Sequence, residues 1–200
     1  MTMDRITNPA LSTLTLPDLR QLLLELLTKF AYSQGDFLLS SGARSSYYIN
    51  GKEVTLRAEG AWAIGRLLFS RLPEDTEAVA GLTLGADPLV SAVSVVSAYE
   101  NKPIHALIVR KEAKGHGTQA YIEGPTLAAG AKVVVLEDVV TSGRSAMLAV
   151  ERLQAAGYRV EEIIAIVDRE QGGTEFYQSQ GIKFQALFSI TEIQQYAQIR

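Results

Sequence analysis

The run from Lys132 to Leu136, Lys-Val-Val-Val-Leu, limits this chain more than any other stretch of its length. It is apolar and β-branched, too short for a helix, and lacks the alternation of a strand with one wet face. What remains is a strand covered on both sides, the position of a central strand in a parallel sheet. The residues after it agree. Glu137 and Asp138 stand where that strand should end, Thr141-Ser142-Gly143 makes a small-residue turn, and Ala146 to Ala156 has helix-forming composition with Gly157 as its stop. Strand, turn and helix in that order form the repeating unit of an α/β fold.

This placement gives the turn a chemistry. Backbone N–H groups at a helix start have no acceptor in the helix, the helix dipole is positive there, and Gly143 lets the backbone come close to a ligand. A phosphate suits such a turn. Two carboxylates at the carboxyl end of a strand face the crevice of an open α/β sheet, where they suit vicinal hydroxyls or a hydrated divalent cation. Together they describe a site for a phosphorylated sugar. Acids at strand ends and glycines before helices also occur in α/β proteins with no such ligand, so spacing leaves both readings open. Other nucleotide motifs are excluded: no Gly-rich loop ends in Gly-Lys-Ser/Thr, and no Gly-x-Gly-x-x-Gly follows a strand.

The remaining chain supplies the frame. Leu19, Leu22, Leu23, Leu26, Leu27 and Phe30 predict an amphipathic helix capped by Thr15, with Pro17 in its first turn and Gly35 stopping it. Phe37 to Lys52 reads as a hairpin with tyrosines on its second strand, either a surface hairpin or a cover over a site. A second helix spans 58–71. Strands are expected at 78–82, 104–109, 132–138 and 161–168, with a helix from Leu89 to Tyr99. Asp87 suits a helix cap, a cation contact, or both. His105, inside a strand, reads as a hydrogen-bonded structural residue. Leu187 and Phe188 end a last strand, and Ser189 or Thr191 opens a terminal helix.

After the strand ending at Val109 come Arg110, Lys111, Lys114 and His116, with Gly115 and Gly117 on either side of the histidine. A solvated basic loop and a cationic lid over a polyanion both fit, and the position at the carboxyl end of a strand favours the lid. Since the net charge of the 200 residues is −3, attraction to nucleic acid or a membrane surface is not expected, and an anion site must be local. There is no cysteine, which excludes thiolate nucleophiles, disulfides and Cys-based zinc sites. The first dozen residues differ from a signal peptide and no apolar run approaches a membrane span of roughly 20 residues, so a cytoplasmic protein of one domain is expected.

Hydrophobic strand, Glu137-Asp138, two apolar residues, Thr141, a small residue and Gly143 resemble the signature of the type I phosphoribosyltransferases, and this variant is most similar to the orotate phosphoribosyltransferases. The Phe37-to-Lys52 hairpin resembles the hood that covers the base in that family. Two positions depart: Ser40 stands where some bacterial members have lysine, and Ile49 stands at a second aromatic position. The basic segment resembles the family's Arg-Lys-x-x-Lys-x-His-Gly loop. The resemblance implies a single domain with a hood, mainly 35–57 plus a C-terminal part, on a core of about 58–185. It implies Mg²⁺-dependent transfer of the phosphoribosyl group from 5-phosphoribosyl 1-pyrophosphate to orotate, by a homodimer with shared active sites. Lys114, His116 and Asp138 would be catalytic. Arg110 and Lys111 would join Lys114 and His116 on pyrophosphate, with the loop 83–88, often holding a non-proline cis peptide, lying against it. Val139, Val140, Thr141, Ser142, Gly143, Arg144 and Ser145 would hold the sugar phosphate and Glu137 and Asp138 the ribose hydroxyls, while Thr141 and Arg169 would contact the base. Metal ligands from the protein are not specified. A purine as acceptor, or a non-catalytic regulator with the same fold, are the alternatives.

Overall fold

In a computed structural model of the chain, residues 10–38, 42, 44–114 and 121–199 are described. Helix α1 (Leu16–Leu26) starts as expected: Thr15 and Asp18 form a capping box, with Pro17 in the first turn. A π-helical stretch, Leu27–Ala31, continues it. Gly35 is not the stop. The chain leaves the helix after Ala31 and enters β1 (Tyr32–Leu38), which contains Gly35 and pairs antiparallel with β2 (Arg44–Ile49), Tyr32 opposite Ile49. Contact between the Tyr32 and Tyr47 rings, 6.1 Å between centroids, adds to this pairing, so tertiary contacts override the local stop signal. This two-stranded hairpin is the expected hood, begun five residues earlier than the sequence suggested. Ser40 lies outside the described residues.

Short α2 (Lys52–Thr55) and α3 (Ala58–Phe69) lead to the sheet. Next come β3 (Ala78–Leu82), α4 (Asp87–Tyr99), β4 (His105–Val109), β5 (Ile122–Glu123), β6 (Val133–Val140), α5 (Arg144–Ala155), β7 (Glu162–Asp168), α6 (Gly173–Ser179), β8 (Lys183–Ser189) and α7 (Ile190–Gln198). The sheet order is β5-β4-β3-β6-β7-β8. All neighbours are parallel except β5, which pairs antiparallel with β4 at the edge, so the sheet is mostly rather than wholly parallel.

The apolar run of β6 explains itself in this arrangement. Val134 and Leu136 belong to a core shared with α1, α3 and α4, while Val133 and Val135 belong to a second core under α5. Both faces of the strand are dry from Val133 to Leu136, so that part needs no polar residue. The acids do not end it as expected: Glu137 and Asp138 lie inside β6, which stays paired with β7 for two further residues, through Val140. Helix α7, capped by Ser189, returns to the start of the chain. Arg20 there donates to Glu192 at 2.8 Å and to the Leu187 carbonyl at 3.0 Å. His105 is exposed at the amino end of β4, away from the strand ends that carry the acids and the basic segment. Among the described residues no helix is long and apolar enough to cross a membrane.

Candidate active site

Helix α5 has no side-chain cap. Gly143 at its N-cap has φ +80°, and the first intrahelical bond runs from Met147 N–H to the Gly143 carbonyl at 3.1 Å. The N–H groups of Arg144, Ser145 and Ala146 therefore have no acceptor within the helix. They border a cleft of about 90 Å³ lined by Glu137, residues 139–146 and Tyr177. The turn is held from below by α6. A Cβ on Gly173 would meet Val140 at 2.4 Å, and one on Gly143 would meet the Tyr177 ring at 2.8 Å. All seven residues expected to hold a phosphate, from Val139 to Ser145, line this one cleft.

Two acids stand beside it in different settings. Glu137 is buried, and its Oε2 has no hydrogen-bond partner. Burial pushes its carboxyl well above the ordinary range, adjacent Asp138 pushes the same way, and the charge of Lys111 pulls back. Asp138 is half-buried. Its carboxylate accepts from the Val139 N–H at 2.9 Å and lies where a Cβ on Gly85 would come within 2.7 Å. That glycine belongs to the loop 83–86, which holds a cis peptide between Thr83 and Leu84. Asp87 is the first residue of α4 rather than its cap. One of its oxygens accepts from Thr83 Oγ1 at 2.8 Å, and the other is buried without a partner.

The described part of the basic segment is anchored at its root. Arg152 of α5 donates to the carbonyls of Arg110 and Lys111, the latter at 2.9 Å, with its guanidinium 4.0 Å over the Tyr121 ring. Arg110 pairs with Glu123 at 3.1 Å and Lys114 approaches the same carboxylate at 3.7 Å. Lys111 and Lys114 are exposed. His116 lies outside the described residues.

Arg169 is the residue the sequence explains least and the structure most. It is buried at 9% exposure just past the end of β7. Its Nε donates to Tyr47 Oη at 3.0 Å and its Nη1 to Thr141 Oγ1 at 3.3 Å, while Nη2 is buried without a partner. The two flanking carboxylates are engaged elsewhere. Asp168 accepts from the Glu170 N–H and Thr174, and Glu170 from the Thr191 N–H and hydroxyl. A buried cation with no described carboxylate partner has the chemistry to take an anion from outside. Register puts it beside the phosphate turn, since Val140 lies opposite Asp168.

Four participants were not legible as such. In sequence Tyr47 reads only as part of the hood, since which hood tyrosine turns inward depends on contacts 122 residues away. Gln171 also donates to Tyr47 Oη, at 3.4 Å. Tyr177 sits on a helix of seven residues with no apolar period, buried with its hydroxyl unpartnered and its ionisation pushed upward by burial and by Glu137. Arg152 reads in sequence as an ordinary helix cation.

No family model matches the chain. It is 70% identical over 193 residues to a protein named orotate phosphoribosyltransferase from Synechocystis sp., covering 96% of this chain and 98% of that one. A Nostoc sp. protein of the same name is 70% identical over 92% of this chain and 89% of its own length. Among solved structures, orotate phosphoribosyltransferase of Mycobacterium tuberculosis in complex with 5-phospho-alpha-D-ribosyl 1-diphosphate matches with a TM-score of 0.72 and 32% identity, covering 88% of this chain and 99% of that one.

Proposed function

Because the chain belongs to the orotate phosphoribosyltransferase family, we propose that it works through two adjacent loops, the turn after β6 gripping the sugar phosphate and the end of β7 reading the base. It transfers the phosphoribosyl group from 5-phosphoribosyl 1-pyrophosphate to orotate, giving orotidine 5'-monophosphate and pyrophosphate, a step of pyrimidine (UMP) biosynthesis. The observation that carries the division of labour is Arg169: a buried guanidinium with a free Nη2, bonded to Thr141 of the phosphate turn, suits the carboxylate that distinguishes orotate from uracil.

In this reading the unsatisfied N–H groups of α5 and the hydroxyls of Thr141, Ser142 and Ser145 take the 5-phosphate, with Arg144 at its rim. Glu137 and Asp138 take the ribose hydroxyls. As the bond from the sugar to pyrophosphate breaks, its electron pair leaves with pyrophosphate and positive charge grows on the sugar. Asp138 beside the ring favours that charge. A ring nitrogen of orotate, whose carboxylate is held by Arg169, forms the new bond and loses its proton to the departing pyrophosphate. Arg110, Lys111, Lys114 and His116 meet the departing pyrophosphate. No covalent nucleophile is required, and the rate comes from orientation and charge placement.

Mg²⁺ fits this site as a substrate-borne ion. No group of three or more acidic or histidine side chains among the described residues forms a metal cage, but Asp87 has a buried oxygen without a partner and Asp138 lies against the same loop. One or two carboxylates with substrate phosphates are the usual protein share for this ion. When bound it offsets pyrophosphate charge. A homodimer with shared sites is supported by an exposed apolar surface carrying Leu56, Leu84, Pro88 and Val95, of which Leu84 belongs to the site loop itself. The reading takes the chain as one domain in the cytoplasm, since a polyanionic substrate stays in the aqueous compartment that makes it. Parallel assays of pyrophosphate release with orotate, uracil, hypoxanthine and adenine test the proposal. Turnover with orotate alone is expected, and turnover with a purine but not orotate overturns it.

A further inference from the structure

The hood supplies more than a cover. Tyr47, on β2, is buried at 8% exposure, and its hydroxyl oxygen accepts from Arg169 Nε at 3.0 Å and from Gln171 Nε2 at 3.4 Å. The Arg169 guanidinium also lies over the Tyr47 ring, 4.9 Å from its centroid. A guanidinium is a rigid planar fork, so fixing Nε and Nη1 fixes the direction of Nη2 as well. Thr141 fixes Nη1, and Tyr47 fixes Nε. Without the phenol oxygen the fork keeps one anchor and can turn about it. The tyrosine oxygen has two acceptor sites, and both are used by these donors, so its own proton is committed to donation away from them.

We propose that Tyr47 is a positioning and specificity-determining residue for the acceptor base: its hydroxyl holds the Arg169 fork so that Nη2 faces the carboxylate of the pyrimidine. The inference rests on the reading of Arg169 as the base's partner. It makes selectivity for a carboxylate-bearing pyrimidine a joint property of the hood and of β7, two elements far apart in sequence that meet at this one hydroxyl.

Tyr47→Phe keeps the ring, and so keeps the contact with Tyr32 and the stacking on Arg169, while removing only the oxygen. The expected result is a rise of about 10-fold in KM for orotate, the effect of roughly one hydrogen bond to a charged group, with KM for phosphoribosyl pyrophosphate within twofold of the parent. Selectivity for orotate over uracil, which lacks the carboxylate, falls by the same factor. Introduced into Arg169→Gln, Tyr47→Phe adds no further loss. A merely structural role would lower Tm and raise both KM values together, and that outcome overturns the proposal, as does an unchanged KM for orotate or an additive loss in the double variant. Arg169→Gln alone separates the two levels: if it leaves KM for orotate unchanged, the Arg169 reading itself fails; if it raises KM while Tyr47→Phe does not, only the role of Tyr47 fails.

Discussion

Replacing Gly143 by alanine tests the phosphate turn on two counts at once. With φ at +80°, the backbone sits where an L side chain costs about 1–2 kcal/mol. The added methyl would stand 2.8 Å from the Tyr177 ring and 3.1 Å from Phe176, both part of α6, and forcing a methyl into a filled space costs about 1–3 kcal/mol more. A loss of roughly 2–5 kcal/mol is expected. Gly157 provides the control within the same chain, because its φ is +90° but nothing lies within 4 Å of its Cβ position. Gly157→Ala should show the backbone cost alone, about 1–2 kcal/mol, with unchanged kinetics. Urea unfolding by linear extrapolation measures both. Calorimetric titration with phosphoribosyl pyrophosphate adds the functional half: Gly143→Ala should lose binding because the turn must shift, and Gly157→Ala should retain it. Equal destabilisation of the two variants, or normal binding by Gly143→Ala, refutes the close packing of turn on α6 as the reason for glycine.

Glu137→Gln should change how stability depends on pH. The folded carboxyl holds its proton well above the ordinary 4.5, so as pH rises past that value the unfolded chain releases a proton that the folded chain retains, and stability falls. Gln carries no such proton, so the stability gap between variant and parent should widen in the variant's favour above pH 4.5; a constant gap in urea unfolding across pH would contradict this. Lys114→Ala, at a side chain 70% exposed, should leave stability within about 0.5 kcal/mol yet cut turnover about 100-fold, and unchanged turnover removes its assigned role. Mixing Lys114→Ala with Gly143→Ala subunits should recover activity, and no recovery argues against sites shared between subunits. Asp87→Asn should raise the Mg²⁺ concentration for half-maximal pyrophosphate release by about tenfold; an unmoved midpoint shows that its free oxygen serves something else.

How much of the fold was legible in the sequence depends on distance along the chain. The strand at 78–82 matches residue for residue, and β6 with its turn follows the run Lys132–Leu136, because those signals are local: apolar continuity, then small residues, then helix formers. Its end does not match: the strand continues past the two acids to Val140, because pairing with β7 outlasts the apolar run. Thr15 and Ser189 were legible as caps for the same reason. Gly35 misled because a stop signal is also local and gave way to pairing with residues near 47. Helix α6 is not legible because Gly173 to Ser179 carries no apolar period; it underlies the turn some 30 residues earlier. The candidate site divides likewise. All of the cleft but Tyr177 was written in one contiguous stretch, whereas the free fork of Arg169 depends on where Asp168 and Glu170 turn, which only the folded chain decides.

The parallel register of β6 and β7 carries a consequence for exchange of the base. Val140 and Asp168 are paired, so the two loops leave the sheet side by side, one strand spacing of about 4.8 Å apart, yet belong to separate stretches of chain. Under the proposed division of labour, remodelling the loop after β7 and its hood contact would exchange the recognised heterocycle while leaving the ribose-phosphate handle untouched.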